Sequence, residues 1–371
     1  MTWFPRLTGV DEQSPEQVRR TISIDGEFLH SPAGHYRFGR LDVPRLSDLR
    51  TDARDDDASP AAINEVVDVP AAAIDEVVDV PPATIDEVVA DVRDLHADPA
   101  NAGAVFQVAS QFNLLEMTGP TVTPERGVGI YQDDPTQGPA CAIACGAGTI
   151  YRNYFVPIRD RAGRIIQRGQ TADRQIDTTA DLFDHLAAAL RTTPDRLRVI
   201  RNGYLFPTRD GLPRIRDHLA GLSDAERAHA RDRLRVGVQR DTDVTIIDPP
   251  HRVTQVYAAA APIAYDRNPT ADWEPLARLI LESAYESTYA VAAAQAAGRP
   301  TRQPFYLTLL GGGVFGNPLG WILDAIRRAH RLYRHHPLDV RVVSYGGANP
   351  DLRSWLRTVE ETPCPPPNRP D

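Results

Sequence analysis

The sequence contains no lysine: all 41 basic residues are arginine, which reflects coding bias more than function. Cysteine is nearly absent, and Cys141, Cys145 and Cys364 make neither a disulfide framework nor a zinc set. The first two stand four apart among small residues and read as buried neutral thiols. No apolar run approaches the ~18 residues that cross a bilayer, and the opening Met1-Thr2-Trp3-Phe4-Pro5-Arg6 lacks a signal-peptide core. The expectation is a cytoplasmic protein without a membrane partner. A surplus of positive charge is missing too, since the net charge is −9. General attraction to nucleic acid is thereby excluded, and an anionic ligand needs a local cradle. The ten histidines show no H-x-x-x-H or Cys–His spacing, so neither a metal nor a cofactor is expected.

What is present fits a soluble globular chain of 371 residues, 42% apolar and 25% charged. Its organising stretch is Pro304 to Tyr345. The apolar run Phe305-Tyr306-Leu307-Thr308-Leu309-Leu310 breaks into Gly311-Gly312-Gly313-Val314-Phe315-Gly316 and restarts after Asn317-Pro318 with a helical pattern. Asn317 suits a cap and Pro318 the first helical position. The alternating strand Leu338–Tyr345 follows, which makes a β-loop-α-β unit. A glycine loop at a helix start admits a phosphate close to backbone N–H donors. Gly311, Gly313 and Gly316 also satisfy G-x-G-x-x-G. A dinucleotide fold, however, would place an acidic residue near the end of the next strand, and here it ends Ser344-Tyr345-Gly346-Gly347.

Upstream, residues 1–50 suggest a small β-containing extension. Ile63–Pro70, Ile74–Pro81 and Ile85–Val92 then recur at eleven-residue spacing. Pro70, Pro81 and Pro82 interrupt any continuous helix. The pattern reads as duplication of one helix start, the first two copies forming an insert at about 55–84. The run Ala104–Asn113 is an expected buried strand that delivers Gln111 and Asn113 to its end. Gly127–Ala144 follows as a second glycine-flanked helix start, with Pro139 in its first turn. Ile150–Pro157 reads as a strand, residues 160–232 as outer helices or an insertion, Val236–Ile247 as a strand with Asp241 and Asp243 on one face, and Trp273–Gln295 as a long helix. Strands alternating with helices give an α/β fold, a three-layer α/β/α sandwich over 99–357, behind an N-terminal extension (1–98) that holds the insert and ahead of a Pro-rich tail (358–371).

Three segments together resemble macrodomains, the ADP-ribose-binding α/β/α family: Gln111-Phe112-Asn113, Thr136-Gln137-Gly138-Pro139-Ala140-Cys141-Ala142, and Leu309-Leu310 through Asn317. Within that family the chain is most similar to the arginine-specific (ADP-ribosyl)hydrolase class typified by the bacterial effector MavL. The resemblance implies that Asn113 lies near the distal ribose. It also implies a first phosphate loop at Gln137, Gly138, Ala140, Cys141 and Ala142, and a second at Gly311, Gly312, Gly313, Val314, Phe315, Gly316 and Asn317. The common pattern has a triple-glycine first loop and a longer asparagine-rich strand end; this chain has Thr-Gln-Gly-Pro. Phe315, Phe112 or Tyr131 are candidates to stack on rings.

Cleaving ribose from arginine passes through an oxocarbenium-like state, so a carboxylate must sit near the anomeric carbon. The candidates are Asp134, in the loop before the first phosphate helix, and the pair Asp241 and Asp243; Glu116 is a weaker one. The expected protein is a monomeric hydrolase acting on ADP-ribosylated protein. The alternatives are an ADP-ribose reader without turnover, another nucleotide-dependent enzyme, or an interaction protein that uses the repeats.

Overall fold

The computed structural model describes residues 2–55, 82–160, 162–299 and 301–360. The first two repeat copies and Cys364 lie outside them. A seven-stranded sheet organises the chain. Its strands, labelled in chain order, are β1 (Arg40–Asp42), β2 (Thr84–Val89), β3 (Val105–Ala109), β4 (Gly237–Asp243), β5 (Arg252–Ala258), β6 (Gln303–Leu307) and β7 (Leu338–Ser344). They lie in the order β1-β4-β5-β3-β6-β7-β2. The five strands β5, β3, β6, β7 and β2 pair in parallel, and β4 runs antiparallel to both β1 and β5.

Alternation along the strands builds the layers. Val105, Val256, Phe305, Leu307, Val340 and Val342 point to one face, where they pack with buried residues of the helices Thr270–Ala296 and Leu319–Tyr333. Phe106, Val108, Val253, Tyr257 and Tyr306 point to the other. That face is covered by three helices: α1 (Val92–Ala97), α2 (Gln137–Ala144) and α3 (Gly146–Tyr154). The fold is the α/β sandwich that the alternation of elements implies, since each sheet face must bury its apolar stripe under helices.

Several expectations need correction. The boundary at 98/99 does not separate the sheet, because β1 and β2 come from the segment read as an extension. The third repeat copy is the strand Thr84–Val89 and not a helix start; its helix begins at Val92, capped by Asp91. The β-branched Val88 and Val89 favour the pleated edge, where the Glu87 carboxylate accepts from Ser344 Oγ at 2.6 Å and Asn349 N at 2.7 Å. Ile150–Pro157 is mostly helix, because Ala147, Ile150 and Tyr154 fall at helical spacing and share one apolar cluster. The helix Pro350–Glu360 runs past the expected start of the tail.

Between the two helices Thr270–Ala296 and Leu319–Tyr333, His330 is buried beside Tyr289, with Nδ1 at 3.3 Å from the phenol oxygen. Burial, and then the nearby Arg334, push its pKa down from 6.5 to about 4. Between these values the unfolded chain binds the extra proton, so stability falls as pH drops through that window. The advantage of the wild type over a His330→Leu variant is expected to shrink by about 3 kcal/mol between pH 7 and pH 4, read from urea midpoints. A constant gap would contradict a neutral buried imidazole.

Candidate functional site

The parallel strands β2, β7, β6, β3 and β5 finish at the same end of the sheet, and a cavity of ≈ 1110 Å³ opens across their C-terminal ends. From β2 to β5 it crosses four strand spacings, roughly 19 Å at ~4.8 Å each. Both segments expected to be phosphate loops line it, through Gln137, Gly138 and Ala140 on one side and Gly311, Gly313, Val314 and Phe315 on the other.

The first loop is built by close approach. Gln137 closes the end of β3: its Oε1 accepts from Ala109 N at 2.9 Å and its Nε2 donates to Gln107 O at 2.8 Å. A Cβ on Gly138 would stand 1.9 Å from Ala109 O. Glycine therefore lets the helix start rest directly on the strand end, with its first N–H groups unsatisfied by any preceding turn. Gly138→Ala is expected to lower stability by about 1–3 kcal/mol, whereas Gly313→Ala, whose Cβ meets nothing within 4 Å, leaves the denaturant midpoint in place.

The second loop folds on itself. Gly312 N donates to Leu309 O at 3.0 Å, Gly316 N to Gly313 O at 3.0 Å and Asn317 N to Gly311 O at 2.9 Å. The crown Gly313-Val314-Phe315 has no backbone acceptor for its N–H groups among the described residues. Consecutive free N–H groups of this kind form an anion-binding nest. Asn317 does not cap the helix. Its Nδ2 donates to Ala261 O at 2.8 Å and to Gly311 O at 3.3 Å, which ties the loop to the segment after β5.

At the β5 end, Tyr204, Tyr265 and Phe315 meet, with ring centroids 5.1, 5.4 and 5.7 Å apart pairwise. Asp133 and Asp134 line the cavity there with Gln132. Asp134 Oδ1 accepts from Thr136 N at 2.9 Å and from Thr136 Oγ1 at 2.6 Å, which fixes the side chain at the mouth of the first loop. Gln111 grips Met117, accepting from its N–H at 2.8 Å and donating to its carbonyl at 3.0 Å, and so shapes the wall below. At the β2 end, Asp91 and Arg93 line the cavity together with Tyr345, a residue 72% exposed.

Other expected site residues lie elsewhere. Asp241 and Asp243 are at the opposite end of the sheet, because β4 runs antiparallel and Asp243 pairs with Arg252, at the start of β5. They do not share a face either. A bulge between Gln239 and Thr242 puts Asp241 at φ 54, and Asp243 accepts from Arg37 N at 2.7 Å. Asn113 is buried, donating to Gln175 Oε1 at 2.8 Å, and Phe112 belongs to an inner apolar cluster. Cys141 and Ala142 are buried in α2. Gly312, Gly316 and Asn317 shape the second loop without lining the cavity. Tyr131 is buried too, its hydroxyl accepting from Glu116 N at 3.0 Å.

Glu116 forms a fully buried pair with Arg152, both carboxylate oxygens lying 3.1 Å from Nη2. Its side chain sits beneath Gly138 and supports the first loop from inside. Sequence reasoning missed Tyr204, Tyr265, Asp91, Arg93 and Tyr345. Of these, only Asp91 carried a local signal, as a cap before a helical run.

The chain matches no protein-family model and no curated protein. Among solved structures it is similar to the poly(ADP-ribose) glycohydrolase of Deinococcus radiodurans in complex with ADP-ribose. That likeness has 12% identity over 88% of this chain and 95% of that one, with a TM-score of 0.37. It is also similar to the poly(ADP-ribose) glycohydrolase of Thermomonospora curvata, at 12% identity over 93% and 96% of the two chains and a TM-score of 0.39. Likenesses this distant carry no weight for activity.

Proposed function

We propose that this chain is an ADP-ribose hydrolase that removes mono-ADP-ribose from modified arginine side chains. One observation carries the reading: the two glycine-containing loops converge on a single cavity, so their N–H donors can hold one diphosphate between them. The cavity's length and its two ends assign the rest of the ligand. The exposed Tyr345 ring beside Asp91 suits a base that stacks and donates from an exocyclic amine. The distal ribose then falls near Asp134.

The β5 end favours an arginine linkage. A guanidinium is a flat cation that binds aromatic faces and carboxylates together. Tyr204, Tyr265 and Phe315 supply the rings, and Asp133 and Asp134 the charge. In the reaction the bond from the anomeric carbon to the guanidine nitrogen breaks, and water adds its oxygen to the carbon. Asp134 takes the water's proton and that proton passes on to the departing nitrogen, which restores the carboxylate.

The test is incubation of purified protein with peptides carrying ADP-ribose on arginine, serine or glutamate, with poly(ADP-ribose) alongside. Release of ADP-ribose from the arginine peptide is expected. Binding of free ADP-ribose without release from any substrate would make the protein a reader. Absence of binding would remove the assignment altogether.

A further inference from the structure

Behind the cavity wall runs a chain of side chains that neither loop explains. Arg152, Tyr257, Gln255 and His96 are all completely buried. Arg152 Nη1 donates to the Tyr257 hydroxyl, and that hydroxyl donates to Gln255 Oε1. Gln255 Nε2 donates to Cys141 O at 2.9 Å and to His96 Nε2 at 3.0 Å, and His96 Nδ1 donates to Val92 O at 2.7 Å.

The direction of these bonds has no freedom. Arginine only donates, and the carbonyls of Cys141 and Val92 only accept. The amide of Gln255 must therefore turn its nitrogen toward Cys141 and His96, which leaves its oxygen for Tyr257. His96 must be neutral with its proton on Nδ1. Hydrogen bonds aligned this way polarise one another, and none can reverse alone.

The chain's contacts fall on three walls of the cavity. At one end Arg152 Nε holds Leu114 O at 2.9 Å and Nη2 holds Glu116, fixing the segment that reaches Met117. In the middle, Cys141 O belongs to α2, the helix of the first loop. At the far end Val92 starts α1, beside Asp91 and Arg93. We propose that Tyr257 and Gln255, both on the inner strand β5, are positioning residues that hold these three walls in register through this one-way chain.

The effect on ligand affinity rests on the ADP-ribose reading; the effect on the walls does not. Two substitutions of similar shape test the proposal: Tyr257→Phe, which removes one oxygen, and Gln255→Met. Hydrogen exchange is followed at the amide of Leu95, which donates to Asp91 O, and at those of Leu115, Glu116 and Met117, which donate to Asn113, Tyr131 and Gln111. Both variants are expected to exchange about tenfold faster at both wall segments, with Leu338–Ser344 unchanged and ADP-ribose affinity lowered about tenfold. Faster exchange confined to β5, or raised equally throughout the chain, would overturn the proposal. Wild-type protein that binds no ADP-ribose would sink the functional reading, and the exchange pattern alone would then decide this one.

Discussion

Replacing Arg152 by leucine is expected to cost the folded protein about 3–5 kcal/mol, because leucine leaves several buried acceptors without a donor, at about 1–3 kcal/mol each. Arg152 has no exposed surface, and its guanidinium contacts Leu114 O, Thr149 Oγ1, Tyr257 and both oxygens of Glu116. It also lies 3.7 Å from the centroid of the Tyr257 ring, so leucine forfeits a cation–π contact as well. The pH dependence of the loss identifies its main cause. Burial pushes the Glu116 carboxyl up from 4.5 to about 7, even with the guanidinium against it. Above the lower value the folded state holds a proton that the unfolded chain has released. Each further pH unit then costs about 1.4 kcal/mol until the folded carboxyl ionises. Without Arg152 that ionisation moves higher, so the gap between variant and wild type should widen above pH 7 and stay constant below it. Urea titrations at pH 5.5, 7 and 8.5 read both. A loss under ~1 kcal/mol, or a gap that narrows as pH rises, would mean that the pair does not hold this part of the core.

The parts of this molecule that were legible in its sequence are those whose chemistry is local. A glycine-flanked helix start after an apolar strand announces backbone donors at a strand end, whatever the rest of the chain does. Both loops, at Gln137–Ala140 and Gly311–Phe315, accordingly line the same cavity. Strand alternation likewise announced the buried face of β7. What was not legible depends on encounters between distant segments. Tyr204 reaches Phe315 only because the ribbon Arg198–Arg201 and Tyr204–Pro207 folds back over the cavity, and neither residue's neighbours in sequence announce this. Asp241 and Asp243 looked paired because alternation presumes a straight strand; one bulge and an antiparallel direction place them at the wrong end. Glu116 looked weak because burial and its partner, 36 residues away, are properties of the fold.

The carboxylate that survives this sorting is Asp134, and Asp134→Asn is expected to lower turnover of the arginine-linked substrate by roughly 10²–10⁴-fold, the range for losing a positioned acid or base. Affinity for free ADP-ribose should stay as it was. The contrast follows from how the side chain is held. Its Oδ1 accepts from Thr136 N and Thr136 Oγ1, and an asparagine keeps that oxygen. The loop and the start of α2 are therefore retained while the negative charge is lost. Asp133, one residue earlier and more exposed, tests whether the effect belongs to the position or to the local charge: Asp133→Asn should cost less. Asp243→Asn supplies the control from the far end of the sheet, where the carboxylate lies 3.4 Å from Arg252. It should move the melting temperature and leave turnover alone. Full turnover in Asp134→Asn would mean that no proton passes through this residue. Asp133 would then be the next carboxylate to test at that end, since Glu116, which also lines the cavity, is held by Arg152 through both of its oxygens.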